Sequence, residues 1–188
     1  MRVVRWADKP QQAVMESVLM LKEGKCVVYP TDTVYGIAAD PMRRECVELV
    51  NDVKGREKDE PLSVCIPSFD WLEERVDKEL VKKIRGYLPG PYTILLPVKE
   101  RIPAMGRSKL LGVRMVKHPC VEAIVERFGP ITSTSANLHD MPPPKNVSDA
   151  MAQLRDRAEL YIDAGETGTG RPSTIISFVG GEAKVIRQ

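Results

Sequence analysis

A chain of 188 residues, 43% hydrophobic and 29% charged, is long enough to bury about 70% of its unfolded surface, and its mixed composition excludes a disordered half. A formal net charge of +2 does not force a general polyanion-binding surface, although local basic clusters remain able to meet phosphate. The stretch MRVVRWADKP has no apolar segment behind its charges, and no run approaches the roughly 18 residues that span a bilayer. A cytoplasmic location and no membrane partner are therefore expected.

In chain order, a short strand around Val3 to Trp6 precedes a helix over Pro10 to Lys22, in which Val14, Val18 and Leu21 share a face and Gly24 is the stop. The stretch VVYPTDTVYGIAAD opens as an apolar strand from Val27 and breaks at Pro30. A helix from Arg43 places Cys46, Leu49, Val50 and Val53 on one face and ends at Gly55. Leu62 to Ile66 reads as a strand, Ser68 to Tyr87 as helical sequence and Thr93 to Val98 as a strand, followed by a basic loop from Arg101 to Lys109.

Beyond that loop come the strand LLGVRMV, a helix begun by Pro119 and closed by Gly129, and the strand ITSTS. Ser148 is the expected cap of the next helix, ELYID reads as a strand, and STIISFV-GG-EAKVIR as a terminal hairpin. The alternation predicts one α/β domain over residues 1–188, with a twisted mixed sheet and helices packed around it.

Cys26, Cys46, Cys65 and Cys120 are widely spaced and contain no Cys-x-x-Cys pair, and His118 and His139 belong to no metal-binding signature. Buried reduced thiols and no protein metal site are expected. Polar loops at three strand or helix ends are the candidate chemistry, since such loops converge on one crevice in open α/β sheets. PTDT is either a turn or a ligand-facing loop. KGREKDEP is either a solvated helix end or a phosphate clamp, with Arg56 the forked donor and Lys54 a point charge. STSAN crowds hydroxyls and an amide onto an apolar strand end, where they need partners or a ligand. The glycines of AGETGTGRPST lack a Gly-Lys-Ser/Thr ending and read as turns. Ser133 and Ser135 lie in no Gly-x-Ser-x-Gly elbow, which argues against a serine hydrolase.

Taken together, YPTDTVYG, KGR followed by EPL, SAN, and a terminal ST followed by Arg187 resemble the YrdC family over nearly the whole chain. The resemblance implies the YrdC-like fold and a nucleotidyltransferase that condenses L-threonine, bicarbonate and ATP to threonylcarbamoyl-AMP and pyrophosphate, for threonylcarbamoyladenosine modification of tRNA. It implies catalytic roles for Lys54 and Arg56, a threonine site of Thr33, Cys65, Arg114, Ser133 and Ser173, and a nucleotide site of Arg56, Glu60, Ser135, Asn137 and Arg187, with Asp32 a helper. Mg²⁺ is expected to accompany ATP on its phosphates. A downstream threonylcarbamoyl transferase complex is the implied partner, with tRNA or double-stranded RNA binding possible.

Cys65 stands where many relatives carry a histidine, Leu110 and Pro143 where they carry hydroxyls, and Glu60 where an amide is frequent. The product hydrolyses readily, so the Lys54 to Pro61 loop or the Arg101 to Lys109 loop is expected to close as a lid. Ending one residue after Arg187, the chain is expected to be the short, single-domain form. An alternative function is a double-stranded RNA or tRNA-binding module without synthase activity, built on Arg101, Arg107, Lys109, Arg114 and Lys117. A further alternative is carbamoyl-adenylate chemistry on another acceptor, as in hydrogenase-maturation proteins.

Overall fold

A computed structural model describes residues 1–188. The strand β1 (Arg2–Arg5) leads into α1 (Pro10–Lys22), followed by the antiparallel pair β2 (Val27–Tyr29) and β3 (Gly36–Ala38). Helix α2 (Arg44–Lys54) ends on Gly55, whose φ of 68° is the left-handed conformation a terminal glycine adopts without a Cβ clash. Then come β4 (Val64–Cys65), α3 (Phe69–Glu73), α4 (Lys78–Ile84), β5 (Tyr92–Pro97) and β6 (Leu110–Arg114). The helical sequence from Ser68 to Tyr87 is thus two short helices. Asp77 breaks the run because its carboxylate accepts from the backbone N–H groups of Glu79 and Leu80 and starts α4 afresh.

The chain continues through α5 (Pro119–Phe128), β7 (Ile131–Thr132), β8 (Thr134–Ser135), α6 (Val147–Leu154), β9 (Leu160–Asp163), β10 (Thr174–Ser177) and β11 (Lys184–Arg187). The cap of α6 is Asn146, whose side chain accepts from Asp149 N at 2.8 Å. Ser148, the residue expected there, lies inside the helix. The two glycines joining β10 to β11 have φ of 77° and 84° and form the turn of the expected hairpin.

The fold is mixed α/β, as expected, but its strands divide between two sheets instead of forming one. The first has the order β1-β9-β2-β3-β8, the second β11-β10-β5-β6-β4-β7. Alternate residues of each strand point to opposite faces. Val28, Ile37 and Tyr161 of the first sheet join Val64, Ile94, Leu96, Leu111 and Val113 of the second in a core of 33 buried residues, covered by α2, α4 and α6. On the other face, Val27, Tyr29, Leu160 and Ile162 join Val14 and Leu21 of α1 and Val121 and Ile124 of α5 in a smaller core of 16. No helix is long and apolar enough to cross a membrane.

What positions the site is the splice between the sheets. The expected strand ITSTS is split at Ser133: β7 pairs antiparallel with β4, and β8 pairs antiparallel with β3. Ser133 N donates to Ser63 O at 2.6 Å, Thr132 N to Ala39 O at 2.9 Å and Ala136 N to Tyr35 O at 2.8 Å. Thr132 Oγ1 reinforces the join by accepting from Ala39 N and donating to Ile37 O. Residues 131–135 therefore carry the chain from the second sheet into the first.

Candidate active site

The PTDT loop turns on Thr31. Its hydroxyl donates to Val34 O at 2.6 Å, accepts from Thr33 N at 3.0 Å and lies 3.0 Å from Thr33 Oγ1. This hydrogen-bonded turn supports Asp32 and Thr33. Both meet Arg114 at the end of β6: its Nη2 donates to Asp32 Oδ1 at 2.9 Å and Thr33 Oγ1 at 3.1 Å, while Nη1 lies 3.4 Å from Ser133 Oγ. Asp32 Oδ2 also accepts from Lys117 N at 3.3 Å. The Arg114 and Asp32 side chains are only 7% and 12% exposed, and Arg114 Nε is buried without a partner. Three expected threonine-side residues, Thr33, Arg114 and Ser133, thus touch directly.

Cys65 lies beside them, opposite Arg114 in the β4–β6 ladder. Burial pushes its thiol up to about 11, so it is a neutral, apolar neighbour. Ser173 contacts another part of this region: its Oγ is 2.7 Å from Thr93 Oγ1, and its carbonyl accepts from Arg187 Nη2 at 3.1 Å. The pKa of Arg187 is lowered by burial and then by the like charge of Arg114.

The second cluster begins where α2 stops. Lys54 is 3% exposed, and its Nζ donates to Ser135 O, to Asn137 O at 2.8 Å and to Asn137 Oδ1 at 3.4 Å. Burial, and then the like charge of Arg56, lower Lys54 to about 7. The oxygen acceptors oppose that shift by solvating the ammonium. Asn137 Nδ2 donates to Leu138 O and Met141 O at 2.7 and 2.8 Å, so its whole amide is engaged in holding the loop. Arg56 pairs with Glu60, and its Nε is buried without a partner. Glu60, expected at the nucleotide, bridges Arg56 and Arg107, the latter at 3.3 Å.

Sequence reading missed the cover of the PTDT loop. Gly168, in the AGETGTG stretch, has φ of 53° and sits where any Cβ would collide with the Asp32 carbonyl and Thr33 N, while Gly170 N donates to Thr33 O at 3.1 Å. A glycine-dense stretch was the only signal, and it identifies no partner. Of the basic residues behind the RNA-binding alternative, Arg114 is buried in its ion pair and Arg107 is paired with Glu57, Asp59 and Glu60. The Arg101 guanidinium donates to the Ser108 and Gly106 carbonyls.

Two cationic clusters, joined by a polar splice between two mixed sheets, form a site suited to an anionic ligand. The family model Sua5_yciO_yrdC, described as Telomere recombination, matches residues 19–188, and the chain belongs to that family. A relative from Aliivibrio fischeri, named Threonylcarbamoyl-AMP synthase, is 37% identical over 164 residues, covering 83% of this chain and 88% of the relative. One of the same name from Pyrococcus abyssi is 34% identical over 164 residues, covering 84% of this chain and 48% of its own. The structure of P. abyssi Sua5 complexed with L-threonine aligns with a TM-score of 0.88 at 28% identity, covering 100% of this chain and 57% of that one. The chain thus spans about half the length of the Pyrococcus relative.

Proposed function

We propose that the protein is a threonylcarbamoyl-AMP synthase, a nucleotidyltransferase acting on L-threonine, bicarbonate and ATP. The observation that carries this reading is the splice at residues 131–137, where Ser133 faces the Arg114 cluster and the Ser135 and Asn137 carbonyls face Lys54. An amino acid held on one side then lies against a nucleotide held on the other. The relatives named Threonylcarbamoyl-AMP synthase support the reading.

Arg114 is suited to the threonine carboxylate, with its unpartnered Nε–H and the Thr33 and Ser133 hydroxyls completing the seat. The threonine amine and bicarbonate condense to a carbamate with loss of water. A carbamate oxygen then attacks the α-phosphorus, and the bond to the β-phosphate breaks to release pyrophosphate. Lys54 and Arg56 neutralise phosphate charge, Ser135 and Arg187 line the nucleotide side, and Asn137 shapes the loop that holds Lys54. Positioning and charge neutralisation supply most of the rate in such a displacement. The site carboxylates Asp32 and Glu60 are committed to arginines, so these residues do not fit a protein metal cage; Mg²⁺ would be carried by the ATP phosphates and water.

The test is mass-spectrometric detection of threonylcarbamoyl-AMP, together with pyrophosphate release that requires ATP, threonine and bicarbonate. Release without threonine would overturn the reading. Arg56→Ala is expected to lower turnover by about 100-fold while its circular dichroism stays that of the parent.

A further inference from the structure

We infer that Arg107 is a positioning residue for nucleotide binding, which draws the Glu60 carboxylate away from Arg56 so that a triphosphate can take its place. The inference rests on the reading that Arg56 meets phosphate. Arg56 and Glu60 form an ion pair with both side chains 19% exposed. A carboxylate seated on a guanidinium fork competes with a phosphate oxygen for the same N–H groups. Nucleotide binding at Arg56 therefore needs somewhere for Glu60 to go.

The structure supplies that place. The other Glu60 oxygen, Oε1, already lies 3.3 Å from Arg107 Nη2, so one carboxylate spans both guanidiniums. The main chain around it is fixed. Arg107 N donates to Asp59 O at 2.8 Å, Gly106 has φ of 48° and packs where a Cβ would collide with that carbonyl, and Asn51 Nδ2 donates to Lys58 O and Glu60 O at 3.1 and 2.9 Å. The exchange then requires only side-chain rotation. A cavity of about 410 Å³, lined by Arg107, Lys58, Asp59 and Gly106 among others, gives the partly exposed Arg107 room to turn.

Charge points the same way. Arg56 and Arg107 face three carboxylates, Glu57, Asp59 and Glu60. Removing Arg107 makes the surroundings of Arg56 more negative and leaves Glu60 with Arg56 as its only guanidinium.

The experiment is a titration with ATP alone by calorimetry at physiological salt, paired with steady-state kinetics on Arg107→Ala, Glu60→Gln and the double variant. Arg107→Ala is expected to weaken ATP binding about fivefold and raise the ATP KM in step, with kcat and the threonine KM within about twofold. In the Glu60→Gln background the same change is expected to move ATP affinity less than about twofold, since no charged carboxylate remains to be displaced. An unaltered ATP affinity in Arg107→Ala, or an equal loss in both backgrounds, overturns the inference. Absence of threonylcarbamoyl-AMP from the parent protein would instead overturn the proposed reaction, because the ATP titration does not depend on turnover.

Discussion

The two halves of the site are built differently. Arg114 is fixed at the end of a central strand and already paired with Asp32, Thr33 and Ser133. Arg56 sits on a loop after a helix stop and is held by a carboxylate four residues along the same loop. The first half is preorganised and forms part of the core, whereas the second has its charge masked by the Glu60 side chain, which the proposed triphosphate would displace. Catalysis by fixed charges needs both to be aligned in the reacting complex, so under the proposed function the second half is where alignment would be gained on binding.

The sharpest way to break this contrast is Arg114→Ala. Leaving Asp32 buried without its partner is expected to cost about 3 to 5 kcal/mol of stability, read by urea unfolding. The Arg56→Ala change is expected to cost under about 1 kcal/mol. Equal losses would mean that the two arginines are equally structural.

A mid-sized effect is expected at Lys54. Because its folded pKa of about 7 lies below the ordinary lysine value of 10.5, the unfolded chain binds more protons between those values. Stability contributed by this group therefore rises as pH increases through that window. Lys54→Met is expected to flatten that slope in unfolding experiments across pH 7 to 10. A bound triphosphate favours the ammonium, so ATP binding near pH 8 is expected to take up protons, measurable by calorimetry in buffers of different ionisation enthalpy. Proton release would contradict the assignment of Lys54 to phosphate.

The smallest effect is expected from Ser133→Ala. Its Oγ is 3.4 Å from Arg114 Nη1, and losing so long a contact is expected to weaken threonine binding by about 1 kcal/mol or less, with ATP binding unaltered. An ATP defect would show that the halves are coupled through the splice.

Much of this was legible where the signal is local. The Gly55 stop, the paired glycines of the terminal hairpin, the apolar face of α2 and the Pro119 start of α5 lie where periodicity and turn chemistry put them. ITSTS reads as one strand because alternation identifies strand character but not the partner. Here the partner changes at Ser133. Resemblance brought Thr33 and Arg114 to the same substrate, yet the pairing of Arg114 with Asp32, across 82 positions of sequence, follows only from the fold. Motif position alone assigns Glu60 to the nucleotide. Its contacts with Arg56 and Arg107 depend on two loops meeting, a relation that no single-segment pattern encodes.

The splice also limits how this polypeptide can be re-engineered. A proteolytic nick or an inserted tag between Thr132 and Ser135 would disturb the edge ladders of both sheets and the site between them in one event, so lost binding there is expected to come with lost stability. A circular permutation is better opened at Gly180–Gly181, in the turn between β10 and β11, where the ladder on either side can survive new ends.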